Sequence, residues 1–208
     1  MLKDYDYPAA DVVFSSTLKR CIETAKMIYP DKTPIEMRGF DECDFGEFEN
    51  LTAEELAPHK EFTEWLAGGP DAKPLNGESN QEFSTRVCDT FIKTVDGLIK
   101  TGTTSCAIFT HGGVIMSILS AFGLPELPMT EWLCPSACGY TIRITPSLWS
   151  KTRKAEVIND IPASPLTQNQ EEMLWDYYSN IPEDEPIDDN DDLSDLMDFL
   201  SFMGDDNE

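Results

Sequence analysis

The chain of 208 residues carries 15 Lys and Arg against 39 Asp and Glu, which gives a formal net charge of −24. This excess argues against a nucleic-acid binder and against docking on an anionic membrane, because both functions need clustered cations. With 40% hydrophobic residues, most of the chain is expected to fold. The six scattered cysteines and an N-terminus without an apolar leader predict a cytoplasmic protein with reduced thiols.

Two strand–loop–helix units organise the predicted fold. The first has an apolar run over 11–14 and a helical pattern over 18–29 that ends before Pro30. The second has an apolar run over 106–110 and a helical pattern over 114–122. Repeated strand–loop–helix units are typical of α/β folds, in which parallel strands place functional sites at their C-terminal ends.

Two further helices are predicted between these units. One covers 52–66 and the other 79–100, and Thr52 with Glu55 and Ser79 with Glu82 show the spacing of capping boxes. After the second unit, the alternating stretch 140–145 and the weaker stretch 155–159 predict strands. The sequence thus predicts one α/β domain over 1–162.

The remaining residues, 163–208, form a predicted acidic tail that is largely disordered. All 15 basic residues lie at or before Lys154, whereas residues 155–208 hold 17 acidic residues. Apolar residues recur at helical spacing from Leu193 to Leu200, which predicts a short amphipathic helix near 192–203. Three roles stay open for this tail: folding back on its own domain, docking a protein partner, or keeping the protein soluble.

His111 and Gly112 are the first candidate site residues. They follow a predicted strand and precede a helix, whose free N–H groups and positive dipole end favour an anion. Ser16 and Arg20 occupy the corresponding loop and first helical turn of the first unit, where a guanidinium can bind phosphate bidentately. Glu42 lies between apolar neighbours, and burial would make its carboxyl group a usable general acid.

Other catalytic motifs are absent from the sequence. Ser16 to Lys19 fits S-x-x-K, but the S-D-N and K-T-G strings that accompany it are missing, and no G-x-S-x-G, G-x-G-x-x-G or Walker A string occurs. Cys134 and Cys138 lack a second thiol pair, and the chain has only two histidines. We therefore predict neither a metal site nor a cofactor.

Four segments together resemble the histidine phosphatase superfamily, in its phosphoglycerate-mutase-like first branch. They are FSSTLKRCIETA (14–25), FDECDFGEFENLT (40–52), NGESNQEFSTRV (76–87) and IFTHGGVIMSIL (108–119), and they follow the order and spacing of that family. The resemblance covers about residues 9–160. It implies a three-layer α/β/α sandwich with a mostly parallel sheet.

The resemblance also implies a mechanism and residue roles. In this family a histidine attacks the phosphoryl group, the phosphohistidine is hydrolysed by water, and no metal takes part. By matching position, Glu42 would donate a proton to the leaving group and His111 would be the second histidine of the pocket. Arg20 would clamp the phosphate, and Ser16 and Gly112 would line the pocket with it.

One family element has no counterpart in this sequence. Family members begin with a strand that leads into an Arg-His-Gly motif, which supplies the nucleophile, and this sequence contains no such string. The resemblance therefore implies a phosphatase domain without its first strand, inactive as written, or a non-catalytic binder of phosphate or of a partner. The expected ligand is a small phosphorylated metabolite or a phosphoprotein, since phosphoglycerates, sugar phosphates, cobalamin-synthesis phosphates and phosphoproteins are all substrates in this superfamily.

Overall fold

A computed structural model of the chain describes residues 7–49, 51, 53–56, 58–66 and 73–161. They belong to two compact units: one holds the described residues up to Glu42 and from Thr90 onward, and the other extends from Cys43 to Asp89. The acidic tail over 163–208, with its predicted helix near 192–203, lies outside the described residues. The domain boundary near 162 therefore stays a prediction.

Helices and strands are interspersed along the described chain, and several of the strands are parallel, which confirms the predicted α/β class. In chain order they are β1 (Val12–Ser15), α1 (Lys19–Ile28), β2 (Ile35–Glu36), α2 (Ala53–Leu56), α3 (Lys60–Leu66), α4 (Asn80–Thr101), β3 (Cys106–Phe109), α5 (Gly112–Phe122), β4 (Gly123–Leu124), β5 (Gly139–Arg143), α6 (Pro146–Thr152) and β6 (Ala155–Ile161). Among the helices described, none is long and apolar enough to cross a bilayer.

The first unit contains two three-stranded sheets. In one, β1 lies between β2 and β3, and all three strands are parallel. In the other, β6 lies between β4 and β5, parallel to the former and antiparallel to the latter. The predicted mostly parallel arrangement is confirmed, although the described strands form two sheets and each of β3 and β4 has a described partner on one side only.

The core of the first unit explains why its elements form. Ala10 and Val13 pack with Ala25 of α1, and Phe109 of β3 covers this cluster. A second group places the rings of Phe91, Phe122 and Trp149 within 5.3 to 5.8 Å of one another. The first group joins a predicted strand to a predicted helix, and the second joins two predicted helices to α6, a helix that the sequence pattern did not predict.

In the second unit, one predicted helix is divided and one predicted cap is confirmed. The helical pattern over 52–66 becomes the two helices α2 and α3, because Pro58 has no backbone N–H and interrupts the helix. At the start of α4, Glu82 N donates to Ser79 Oγ at 3.1 Å and Ser79 N donates to Glu82 Oε2 at 2.9 Å. This is the reciprocal capping box that the spacing predicted.

Candidate active site

The candidate site lies at the C-terminal ends of β1 and β3, as the α/β pattern predicts. The parallel register places Ser15 opposite Phe109, so the loops that follow these two strands start side by side. Ser16 N extends the pairing by donating to Phe109 O at 2.8 Å. As a result, Ser16 and His111, which are 95 residues apart in the sequence, lie within hydrogen-bonding distance.

His111 is buried at the start of α5 and contacts two of the predicted site residues. Its Nε2 is 2.8 Å from Ser16 Oγ, and its Nδ1 is 2.9 Å from Arg20 Nη2 and 3.2 Å from Arg20 Nε. A guanidinium can only donate, so Nδ1 must be the unprotonated nitrogen of a neutral ring. The proton is then on Nε2, and Ser16 Oγ accepts it.

The electrostatic surroundings of His111 keep its ring neutral. Burial, together with the positive charge of Arg20, lowers its pKa from 6.5 to about 4, and the carboxylate of Asp41 opposes this change only in part. The imidazole is consequently uncharged at neutral pH. A neutral ring that donates from Nε2 can make a hydrogen bond to an anion without being ionised itself.

Arg20 is the cation of this site. It lies in the first turn of α1, as predicted, and it is exposed to solvent. Its contact with a neutral imidazole uses N–H donors, and no carboxylate among the described residues forms an ion pair with it. An arginine in that state can receive an anion, since planar guanidinium groups match the geometry of phosphoryl oxygens.

Glu42 and Gly112 lie beside the same helix start. Gly113 N, in the first turn of α5, donates to Glu42 Oε2 at 3.2 Å. Glu42 is half-buried, and Phe40 and Cys43, which flank it in the sequence, are buried. At Gly112, no atom of the described residues beyond its chain neighbours and its own helix backbone lies within 4 Å of the place where a Cβ atom would be, so these residues leave room for a ligand there.

Sequence reasoning missed three further residues in this region, namely Asp41, Thr17 and Cys21. Asp41 accepts hydrogen bonds from both the backbone N and the Oγ1 of Thr17. Cys21 Sγ lies 3.6 Å from His111 Nε2 and donates to Thr110 O at 3.3 Å. Burial raises the pKa of the Cys21 thiol, which keeps it protonated.

The structure also places the residues that sequence reasoning weighed for other roles. Cys134 Sγ donates to the backbone oxygen of Cys138 at 3.6 Å. Within the described ranges no group of three or more His, Cys, Asp and Glu side chains is arranged to hold a metal ion. His59, the second histidine, is exposed in the second unit, where its ring lies 6.0 Å from that of Phe48.

Comparison with solved structures shows the same fold elsewhere. An α-ribazole phosphatase from Shigella flexneri matches with 24% identity, a TM-score of 0.59 and 75% of each chain covered. A candidate α-ribazole-5′-P phosphatase from Escherichia coli matches with 24% identity, a TM-score of 0.59 and 72% of each chain covered. A protein named mycobacterial hydrolase 1 matches with 18% identity and a TM-score of 0.52, covering 71% of this chain and 74% of that one.

A family model extends this comparison to the sequence. No curated protein matches the chain. The model of the histidine phosphatase superfamily (branch 1), however, matches residues 3–157, a span that includes all five predicted site residues. This chain therefore belongs to branch 1 of the histidine phosphatase superfamily.

Proposed function

We propose that this chain binds the phosphoryl group of a phosphomonoester at the start of α5, through residues that match the phosphate pocket of phosphatases in its family. One observation carries the proposal: the exposed guanidinium of Arg20 is held against the neutral, buried ring of His111. A cation of fixed orientation, a neutral N–H donor and a helix N-terminus are the groups that stabilise a phosphoryl anion.

Each predicted site residue has a distinct role in this proposal. Arg20 binds phosphoryl oxygens through its N–H groups, and His111 offers its Nε2 proton in place of the hydrogen bond to Ser16. Gly112 allows the ligand to approach the backbone of α5, since no side chain of the described residues fills the place of its missing Cβ atom. Glu42 accepts a hydrogen bond from Gly113 N, and by its match to the family's proton donor it would protonate the leaving group if a nucleophile were supplied.

The nucleophile decides whether binding leads to turnover. The resemblance assigns phosphoryl transfer to a histidine in an Arg-His-Gly motif, which these 208 residues do not contain. His111 has its Nδ1 covered by Arg20 and donates from Nε2, so neither nitrogen is presented as a nucleophile. We propose that the chain as given binds a phosphomonoester without hydrolysing it, as a phosphate-binding pseudophosphatase would.

The ligand class we propose is a small phosphorylated metabolite. Two structural neighbours are described as α-ribazole phosphatases, whose names indicate a metabolite phosphate. A phosphoprotein is the alternative ligand, and the acidic tail over 163–208 is the proposed contact for a protein partner. Pull-down with residues 163–208 as bait, against a bait with scrambled sequence, tests that second role separately.

Calorimetry and an assay together test the function. Isothermal titration with inorganic phosphate should give saturable binding to the full chain, whereas p-nitrophenyl phosphate should remain unhydrolysed. Absence of binding up to millimolar phosphate contradicts the proposed site. Hydrolysis that disappears in Arg20→Met would instead contradict the proposed inactivity and show that the chain is an enzyme as given.

A further inference from the structure

We propose that Asp41 is a positioning residue, which holds the loop between β1 and α1 so that Ser16 and Arg20 meet His111. The proposal rests on the proposed phosphate-binding function and deepens it. Asp41 acts on this loop through Thr17, the residue that follows Ser16 in the chain, besides its Coulomb effect on His111.

Asp41 holds Thr17 through both of its carboxylate oxygens. Oδ1 accepts from Thr17 N at 2.6 Å, and Oδ2 accepts from Thr17 Oγ1 at 2.7 Å. A carboxylate with two acceptors can satisfy a backbone N–H and a hydroxyl at once, which fixes both the main chain and the side chain of one residue. This arrangement leaves Thr17 little freedom to rotate.

The position of Thr17 makes this contact important for the site. On its N-terminal side, Ser16 Oγ accepts from Leu18 N at 3.2 Å and also lies 2.8 Å from His111 Nε2. On its C-terminal side, α1 begins within two residues and carries Arg20 in its first turn. Rotation of the backbone at Thr17 would therefore move both contacts of His111 away from the ring.

Asp41 can serve as a fixed anchor because its own segment is tied to the second loop. Phe40 O accepts from Thr110 Oγ1 at 2.7 Å, directly before His111, and Glu42 Oε2 accepts from Gly113 N at 3.2 Å, shortly after it. The segment 40–42 thus connects both loops of the site. A rigid support of this kind is what an active-site constellation needs, since small displacements weaken binding strongly.

Asp41 could also influence the site through its charge alone, so the experiment must distinguish a Coulomb effect from a hydrogen-bonded support of the loop. The carboxylate of Asp41 acts on His111 by Coulomb interaction, whether or not it holds a loop. Thr17→Val removes the hydroxyl donor to Oδ2 while keeping every charge in the site, and Thr17→Ser restores the donor. Asp41→Asn removes the charge while keeping one oxygen acceptor.

Nuclear magnetic resonance of the free protein provides a readout that does not depend on phosphate. The chain has two histidines, so ¹⁵N-histidine labelling gives two ring systems, and His59→Gln assigns them. The wild type and Thr17→Ser should show a protected Nε2 proton on His111 and an unprotonated Nδ1. Thr17→Val should lose that protected proton and show a mixture of both tautomers.

Two outcomes of this experiment overturn the proposal. One is a His111 spectrum in Thr17→Val that equals the wild type. The other is a change that Thr17→Ser fails to reverse, which would show that the methyl group or the backbone matters and not the contact with Asp41. The His59 resonances and the circular dichroism spectrum should stay constant, and they report on general unfolding.

Phosphate titration of the same variants links the contact to function. Thr17→Val should weaken binding of inorganic phosphate about 3- to 10-fold, and Thr17→Ser should restore it, because one hydrogen bond is lost and regained. Unchanged affinity in Thr17→Val would contradict a positioning role. If the wild type binds no phosphate, the proposed function fails, whereas the His111 spectra still decide whether Asp41 holds the loop.

Discussion

Two arginines of this chain differ in the partner of their guanidinium group: Arg86 is paired with a carboxylate, and Arg20 with a neutral imidazole. Arg86, in the second unit, donates from Nε to Glu78 Oε1 at 2.7 Å and from Nη2 to Glu78 Oε2 at 2.6 Å, and both side chains are largely buried. Arg20, in the first unit, donates to the neutral ring of His111 and is exposed. Arg86 forms a bidentate ion pair, whereas Arg20 is a surface cation without an ion-pair partner among the described residues.

The difference separates a structural role from a binding role. In the bidentate pair of Arg86, the carboxylate already occupies the face of the guanidinium that a phosphate would need. In the pair of Arg20, the imidazole orients the cation without cancelling its charge, because the buried ring of His111 stays neutral. Each of the following predictions tests one side of this contrast.

The largest expected effect is a pH dependence of stability that arises at His111. Its pKa is about 4 in the folded chain and 6.5 as the ordinary value, because it is buried and lies beside Arg20. Between these values the unfolded chain binds the additional proton. The stabilisation is therefore complete above pH 6.5 and is lost as the pH falls through about 4, by at most about 3 kcal/mol.

Urea unfolding of the wild type and of His111→Gln at pH 7 and at pH 4 measures this effect. Other groups titrate in both proteins, so the difference between the two pH dependences isolates His111. The wild type should lose more free energy of unfolding on acidification than the variant. Equal losses would show that His111 is not held neutral, and the contrast between the two arginines would disappear.

Arg20→Met should produce the next largest effect, on ligand binding. Loss of charge-assisted hydrogen bonds to the phosphoryl oxygens should weaken inorganic phosphate binding about 10- to 100-fold by calorimetry. Removal of the nearby positive charge should also raise the pKa of His111. Lys19→Met is the matched control, because it removes the same charge from the same helix turn in a side chain that pairs with Glu23.

Arg86→Met should destabilise the second unit and leave phosphate affinity unchanged. The expected loss is about 1–2 kcal/mol, since a half-buried carboxylate loses its bidentate partner. Glu78 Oε2 also accepts from Asp44 N at 3.1 Å, so faster hydrogen exchange at that amide reports the loss locally. Weaker phosphate binding in Arg86→Met would contradict a purely structural role.

The ion pair of Arg86 and Glu78 also makes stability depend on pH, at a lower pH than His111 does. Burial acts to raise the pKa of Glu78, but the hydrogen bonds from Arg86 and from Asp44 N outweigh it and the pKa lies below 4.5. The stabilisation is thus complete above pH 4.5 and is lost as the pH falls through the folded-state value. The protection of the Asp44 amide, which is the intrinsic exchange rate at the same pH divided by the observed rate, should fall on acidification in the wild type and stay constant in Glu78→Gln.

Local sequence signals were sufficient for most of the fold. The helix predicted over 18–29 is α1, and the strand predicted over 106–110 is β3, because burial of an apolar stripe fixes both. The strands β2 and β4 were missed, since each has only two residues and no periodicity can appear over so short a length. The helix α6 was missed because it has only seven residues, which is too short for a helical periodicity of apolar residues to stand out.

The site was predictable only where a residue stands in a recognisable local context. Arg20 and His111 each follow a strand at a helix start, and the structure brings them together with Ser16. The contact of Asp41 with Thr17 joins residues 24 positions apart and has no local signature. Which ring nitrogen of His111 carries the proton also depends on three-dimensional contacts, and composition and spacing give no information about these contacts.

The smallest expected effect concerns the capping box, which lies in the second unit with Arg86 and has no role in binding. Ser79 is buried, and its Oγ accepts from Glu82 N at 3.1 Å at the start of α4. Ser79→Ala should cost about 1 kcal/mol because that N–H loses its partner, and Ser79→Thr should retain most of the stability. Urea unfolding measures the loss, and phosphate calorimetry should give the wild-type affinity. A weakened phosphate affinity in Ser79→Ala would mean that stability of the second unit alone influences the site, and the effect of Arg86→Met would then need the same explanation.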